Sequence, residues 1–157
     1  MKLCKNSSSE LLSILKGAGD SFIDAGGGIF LEDGSNGLIK SRSVAFDNSR
    51  IIARSRLIGG GAGRGHVDCR GIMMGDSASI EAIPVIESEN RKAVLTHEAR
   101  IGRIEEEQLF YLETRGFTEE EATELIIRGF LSPGIPWLEP GVRREMEKLV
   151  EIAAKGA

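Results

Sequence analysis

The sequence predicts a mainly β chain whose strands coil into a parallel solenoid of about three turns, followed by a small α-helical C-terminal domain. Three observations carry this expectation. Short strand-like runs separated by turn signals fill residues 1–102. Comparable runs recur at a near-constant interval: Ile51 and Ile80 open one set 29 residues apart, and Leu38, Val67 and Val94 open the alternate set, 29 and 27 apart. The composition then changes. Of 20 glycines, 14 lie in the first 75 residues, and residues 1–102 carry 12 acidic and 13 basic side chains against 12 and 7 from Arg103 onward. Residues 1–102 are therefore assigned to coils and 103–157 to a helical domain.

The elements follow in order. The leader "MKLCKNSSSELL" has no apolar core segment and is not read as a signal peptide. The strand candidates are "ELLSIL", "SFIDA", "GLIKSRSVAF", "RIIARSRLI", "GHVDCRGIMM", "ASIEAIPVI" and "KAVLT", several alternating apolar and polar residues. Between them stand "EDGSNG", "DNS", "GGGAGRG", "GDS" and "ESEN", all turn chemistry. A sandwich of short antiparallel strands would show the same turn spacing and stays open at this point. Stacked coils make the sharper claim, because they lie about 4.8 Å apart. With Val67 over Val94, Cys69 neighbours Thr96, Glu98 falls one pleat along on the same face, and His97 points to the other face. A one-residue slip exchanges His97 and Glu98.

In the second region, 104–115 has loose helical spacing through Ile104, Leu109, Tyr111 and Leu112, with Gly116 as its stop. Thr118 and Glu121 form a capping box for the next helix, whose expected buried stripe is Ala122, Leu125, Ile126 and Phe130. "SPGIPWLEPG" reads as a rigid loop and "VRREMEKLVEIAAK" as a final amphipathic helix. The two short helices are expected to close the C-terminal end of the solenoid. The first coil has no comparable cap, which implies an upstream portion or a partner over it.

Composition narrows function. Net charge is −4, aromatic residues are 5% and no Lys/Arg block occurs, so a nucleic-acid binder is not indicated. No apolar run approaches membrane-spanning length. Two cysteines 65 positions apart do not suggest a disulfide framework, and the default is a reduced, cytoplasmic protein. "HEARI" starts like a zinc-protease motif, but Ile101 stands where the second histidine is required. "GGGAGRG" lacks the ending of a phosphate loop and sits between strands. Cys69, His66 and His97 cluster in two short stretches one period apart. Cys69 alone is most simply a small buried hydrophobe. Together with His66, His97 and Glu98 it has the ligand types that suit iron or zinc. No triad or carboxylate pair points to an enzyme. Cys4 carries no signal, and at least one of Met73 and Met74 is core.

The run "AVLTHEARIGRIEEEQLFYLETRGFTEEEATELIIRGFL" resembles the C-terminal signature of the SufB/SufD family, scaffold components of iron–sulfur cluster assembly. "GHVDCRGIMMGDSASIEAIPVIE" resembles the cysteine-bearing coil before it, and the likeness runs from about Ser41 to Phe130. It implies a right-handed β-helix followed by a helical domain. It also implies a transient iron–sulfur cluster at Cys69, His97 and Glu98, as cluster or metal ligands. The B-type subunit pairs a core cysteine with a glutamate after the histidine. Cys69 and Glu98 match those positions, and Leu95 stands at the D-type cysteine position, so the chain looks more B-like than D-like. Family members pair through their β-helices, which implies a homodimer or a SufB/SufD-type heterodimer. Their helical domains dock a SufC-type ABC ATPase, here through residues 104–157, and a cysteine desulfurase system supplies sulfur indirectly. Flavin is possible in the family but not indicated by these residues. The alternative is a D-like interaction module that dimerises and binds the ATPase without a cluster. Family members run to several hundred residues, so the chain is expected to be a short paralogue or a C-terminal portion. The upstream sulfur-accepting cysteine has no counterpart here, and Cys4 is not equated with it.

Overall fold

A computed structural model describes residues 1–132, 134 and 138–155. Eight strands come first: β1 Lys2–Leu3, β2 Ser8–Gly17, β3 Phe22–Leu31, β4 Asn36–Ala45, β5 Arg50–Gly59, β6 Arg64–Met73, β7 Ser79–Ser88 and β8 Val94–Gly102. Three helices follow, α1 Glu106–Glu113, α2 Glu119–Leu131 and α3 Pro140–Ala154. Odd and even strands form two separate sheets, ordered β1-β3-β5-β7 and β2-β4-β6-β8. Every pairing is parallel and skips one strand. This is the expected parallel β-solenoid, and the antiparallel sandwich falls away. It has about four turns where about three were expected, because the leader residues 2–17 already form a coil.

Alternation within each ten-residue strand builds the core. In β4, Gly37, Ile39, Ser41, Ser43 and Ala45 face in, while Leu38, Lys40 and Arg42 face out and are half-buried. In β6 the inward set is Gly65, Val67, Cys69, Gly71 and Met73. Ile29, Leu31, Ile39, Leu57, Val67 and Cys69 pack into one cluster between the sheets. Small residues are required where the sheets close on one another: a Cβ on Gly65 would press into Leu57 and Leu31. The glycine run of β3, beyond the expected strand "SFIDA", is strand as well. A Cβ on Gly26 would collide with the Arg54 carbonyl of the next coil.

The helices do not close the end of the solenoid. They pack on its flank, where Ile127, Leu131, Val150 and Ala154 bury against Val44 and Phe46, with Ile14, Ala18 and Met74 alongside. Strands β7 and β8 are left as the last coil, with Val85, Ile86 and Val94 exposed. The expected cap is therefore a lateral buttress. Its cause lies in the turns after β2, β4 and β6, which present an apolar strip that α2 and α3 cover. Within α2 the capping box forms as expected, but the buried stripe is Ala122, Ile127 and Leu131, and Leu125 is exposed. Gly116 ends the α1 segment at φ 96°, a backbone that favours glycine. Of the rigid-loop reading for 132–141, residues 133 and 135–137 lie outside the described residues, and Pro140 and Gly141 already belong to α3.

Candidate functional site

Cys69 sits in the middle of β6 with its side chain inside the solenoid, 2% exposed. Its pairing partner on the coil below is Ser41, and on the coil above Ala99. From the opposite sheet Ser55 Oγ approaches Cys69 Sγ to 3.9 Å. Burial pushes the thiol above its ordinary value; the Ser55 hydrogen bond and Arg42 work against that rise, and Asp68 adds to it. Ser41 Oγ is buried and has no hydrogen-bond partner among the described residues. An unpaired buried hydroxyl costs about 1–3 kcal/mol, so it demands a reason.

The register on the last coil differs from the sequence expectation. Cys69 pairs with Ala99, Val67 with His97, Asp68 with Glu98 and His66 with Thr96. The interval there is 30 residues, and an offset of three reverses every face. His97 therefore shares the inward face of Cys69, and Glu98 shares the outer face of Asp68. Thr96, expected beside Cys69, instead meets His66 on the outer face, with Thr96 Oγ1 2.7 Å from His66 Nδ1. The strand spacing and rise place the Cα atoms of Cys69 and His97 about 8 Å apart on one diagonal. His97 is exposed although it faces inward, because β8 is the last strand of its sheet and, among the described residues, no coil lies above it.

On the outer face Asp68 is buried beneath two guanidinium groups. Arg42 Nη2 donates to its Oδ2 at 2.6 Å and Arg70 Nε to its Oδ1 at 2.9 Å. Burial alone would raise this carboxyl, but the two arginines outweigh it and hold it below the usual range. Arg70 also reaches Glu98 at 4.0 Å. Nearby, a groove of about 540 Å³ runs over the starts of the strands, lined by Glu10, Leu38, Arg64, His66, Val94 and Thr96.

The fold thus brings Cys69 and His97 to one face of adjacent strands and puts Glu98 on the other. Among the described residues no group of three or more His, Cys, Asp or Glu side chains is placed to hold a metal ion. Sequence reasoning missed Ser41, Ser55 and the Arg42–Asp68–Arg70 bridge. The period could have found the two serines: Ser41 stands one period of 28 before Cys69, and Ser55 half a period, which is the opposite sheet.

Comparison with known proteins gives a consistent likeness. The family model "SUF system FeS cluster assembly, SufBD core domain" matches residues 4–130. An iron–sulfur cluster assembly SufBD family protein of Methanothermobacter thermautotrophicus is 39% identical over 158 residues, covering 97% of this chain and 38% of that protein. One from Pyrococcus horikoshii is 37% identical over 154 residues, covering 97% and 34%. One from Staphylococcus saprophyticus is 33% identical over 122 residues, covering 76% and 26%. The chain spans between a quarter and two-fifths of the length of these relatives.

Proposed function

Since the chain belongs to the SufBD family of the iron–sulfur cluster assembly system, we propose that it contributes a scaffold surface on which a cluster is built. In this reading the cluster is cargo. Cys69 serves as thiolate ligand or persulfide carrier, and His97 and Glu98 are the candidate iron ligands or proton acceptors. The observation that carries it is the placement of Cys69 and His97 on the inward face of the last two coils of one sheet, where the solenoid is open. Thiolate is the preferred ligand of cluster iron.

Glu98 lies across the strand from His97, so one chain does not complete the set. The edge of β8 presents both faces to anything laid against it, and a second β-helix docked there would draw on His97 and Glu98 together. Pairing through the solenoid, as a homodimer or with a SufB/SufD-type partner, is part of the proposal. So is docking of a SufC-type ATPase by residues 104–157, supported by the exposed Phe110 and Tyr111 of α1 and Leu149 and Ile152 of α3. A cytoplasmic setting and an indirect supply of sulfur from a desulfurase complete it. No helix of the described residues is long and apolar enough to cross a membrane.

A second reading, a D-like module that pairs and docks without holding a cluster, is favoured by one fact: the ligand types do not converge within one chain. Anaerobic reconstitution with iron and sulfide separates the two. The scaffold reading expects wild type to take up iron and develop thiolate-to-iron absorption, and Cys69→Ser to lose most of both. Equal iron and equal spectra in the two proteins would remove Cys69 from the site. Absence of iron from both would favour the module.

A further inference from the structure

Ser41 and Ser55 approach Cys69 from two directions, one from the coil below and one from the opposite sheet. Ser55 Oγ already contacts the sulfur. Ser41 is 3% exposed and its hydroxyl has no hydrogen-bond partner, unlike Ser35 and Ser49, whose buried hydroxyls each donate to a carbonyl at 2.7 Å. A hydroxyl beside a buried thiol, with its donor unspent, suits an acceptor that arrives only when the site is loaded. Ile39 and Val67 wall the place with hydrocarbon. Ala99, the residue stacked above Cys69, is exposed, so one small side chain separates the thiol from the open end of the solenoid.

We infer that Ser41 and Ser55 form, with Cys69, a binding site for a single sulfane sulfur atom held as a persulfide on Cys69. The inference rests on the reading of Cys69 as a sulfur-bearing residue and names the groups that retain the atom. The Cys69 sulfur attacks a sulfane sulfur of a persulfide or polysulfide donor. A new S–S bond forms at Sγ, the S–S bond behind the transferred atom breaks, and the shortened donor leaves with the electron pair and the thiol proton. The terminal sulfur then accepts hydrogen bonds from the two hydroxyls, and these charge-assisted bonds are stronger than neutral ones.

Cys4→Ser leaves Cys69 as the one thiol of the chain and serves as parent. It is treated anaerobically with inorganic polysulfide and desalted, and the mass gain of one sulfur atom is followed over time by intact mass spectrometry. The parent is expected to gain and keep one sulfur. Adding Ser41→Ala or Ser55→Ala should shorten its lifetime roughly tenfold. Ser41→Ala should at the same time raise the thermal midpoint of the sulfur-free protein, because it deletes an unpaired buried hydroxyl. A purely structural serine would not move the two readouts in opposite directions. Equal lifetimes in parent and both variants overturn the subsite and leave Cys69 standing as sulfur carrier. A shorter lifetime joined to a lower midpoint in both variants marks a loosened core and also overturns it. If the parent gains no sulfur, the carrier role of Cys69 falls and the subsite with it.

Discussion

Asp68 shows how one residue can be buried on the outside of a fold. It lies on the solvent-facing side of β6, yet it is 6% exposed because Arg42 and Arg70 close over it. Removing its charge strands Arg42, itself largely covered, without its partner. Asp68→Asn should cost about 2 kcal/mol at neutral pH, less than a fully interior pair because Arg70 remains partly hydrated. The sign with pH follows from the depressed carboxyl. The folded state binds its proton later than the unfolded chain does, so the contribution is fully present above about pH 4 and is lost as pH falls through the folded value. Denaturant titrations at neutral and acid pH should show the gap between wild type and Asp68→Asn closing on acidification. A constant gap would mean the effect is steric. At this scale the sequence was informative about types and poor about sides. Cys69, His97 and Glu98 were legible as chemistry, but which of them share a face depends on turn length, which side-chain chemistry does not encode.

Elements were more legible, and the exceptions have physical causes. Ile51 and Ile80 gave the correct interval because they pair on the inward face of their sheet, Ile51 fully buried and Ile80 half-buried against the coil before it. The β6–β8 interval misled because Val94, read as the partner of Val67, faces out at the end of the solenoid and is 55% exposed. No coil above β8 selects for its pattern, so apolar residues there do not mark the core. The earlier turns between strands, from 18–21 to 60–63, hold four residues, but 74–78 and 89–93 hold five, and each added residue moves the register. Local hydrogen-bond chemistry was read more reliably. The expected capping box at α2 is present, with Glu121 N–H donating to Thr118 Oγ1 at 3.2 Å and Thr118 N–H to Glu121 Oε2 at 2.8 Å. Thr118→Ala should cost about 1 kcal/mol of stability by denaturant titration. A loss no larger than a surface substitution would mean that α2 is held by its packing alone.

Across the whole molecule the helices and the solenoid share a core. Ile127, fully buried, belongs to the cluster that contains Val44 and Phe46 from the second coil. Ile127→Ala should therefore cost about 3 kcal/mol and lower the unfolding midpoint of strands and helices alike. Far-ultraviolet circular dichroism at wavelengths weighted to each structure should give coincident curves. Separate transitions would make the two regions independent domains. The coil interval has a further consequence for how such a chain can change length. Up to β6 each even strand stacks on the one before it at an interval of 28 residues, inward on inward. A coil touches only the coils beside it. A duplicated segment of one full period would slot between existing coils and leave each neighbour's contacts intact. A segment one residue shorter would turn every following core residue toward water unless a turn absorbed the difference. Growth of this architecture is quantised, and the five-residue turns near its end are the places where the unit is already adjusted.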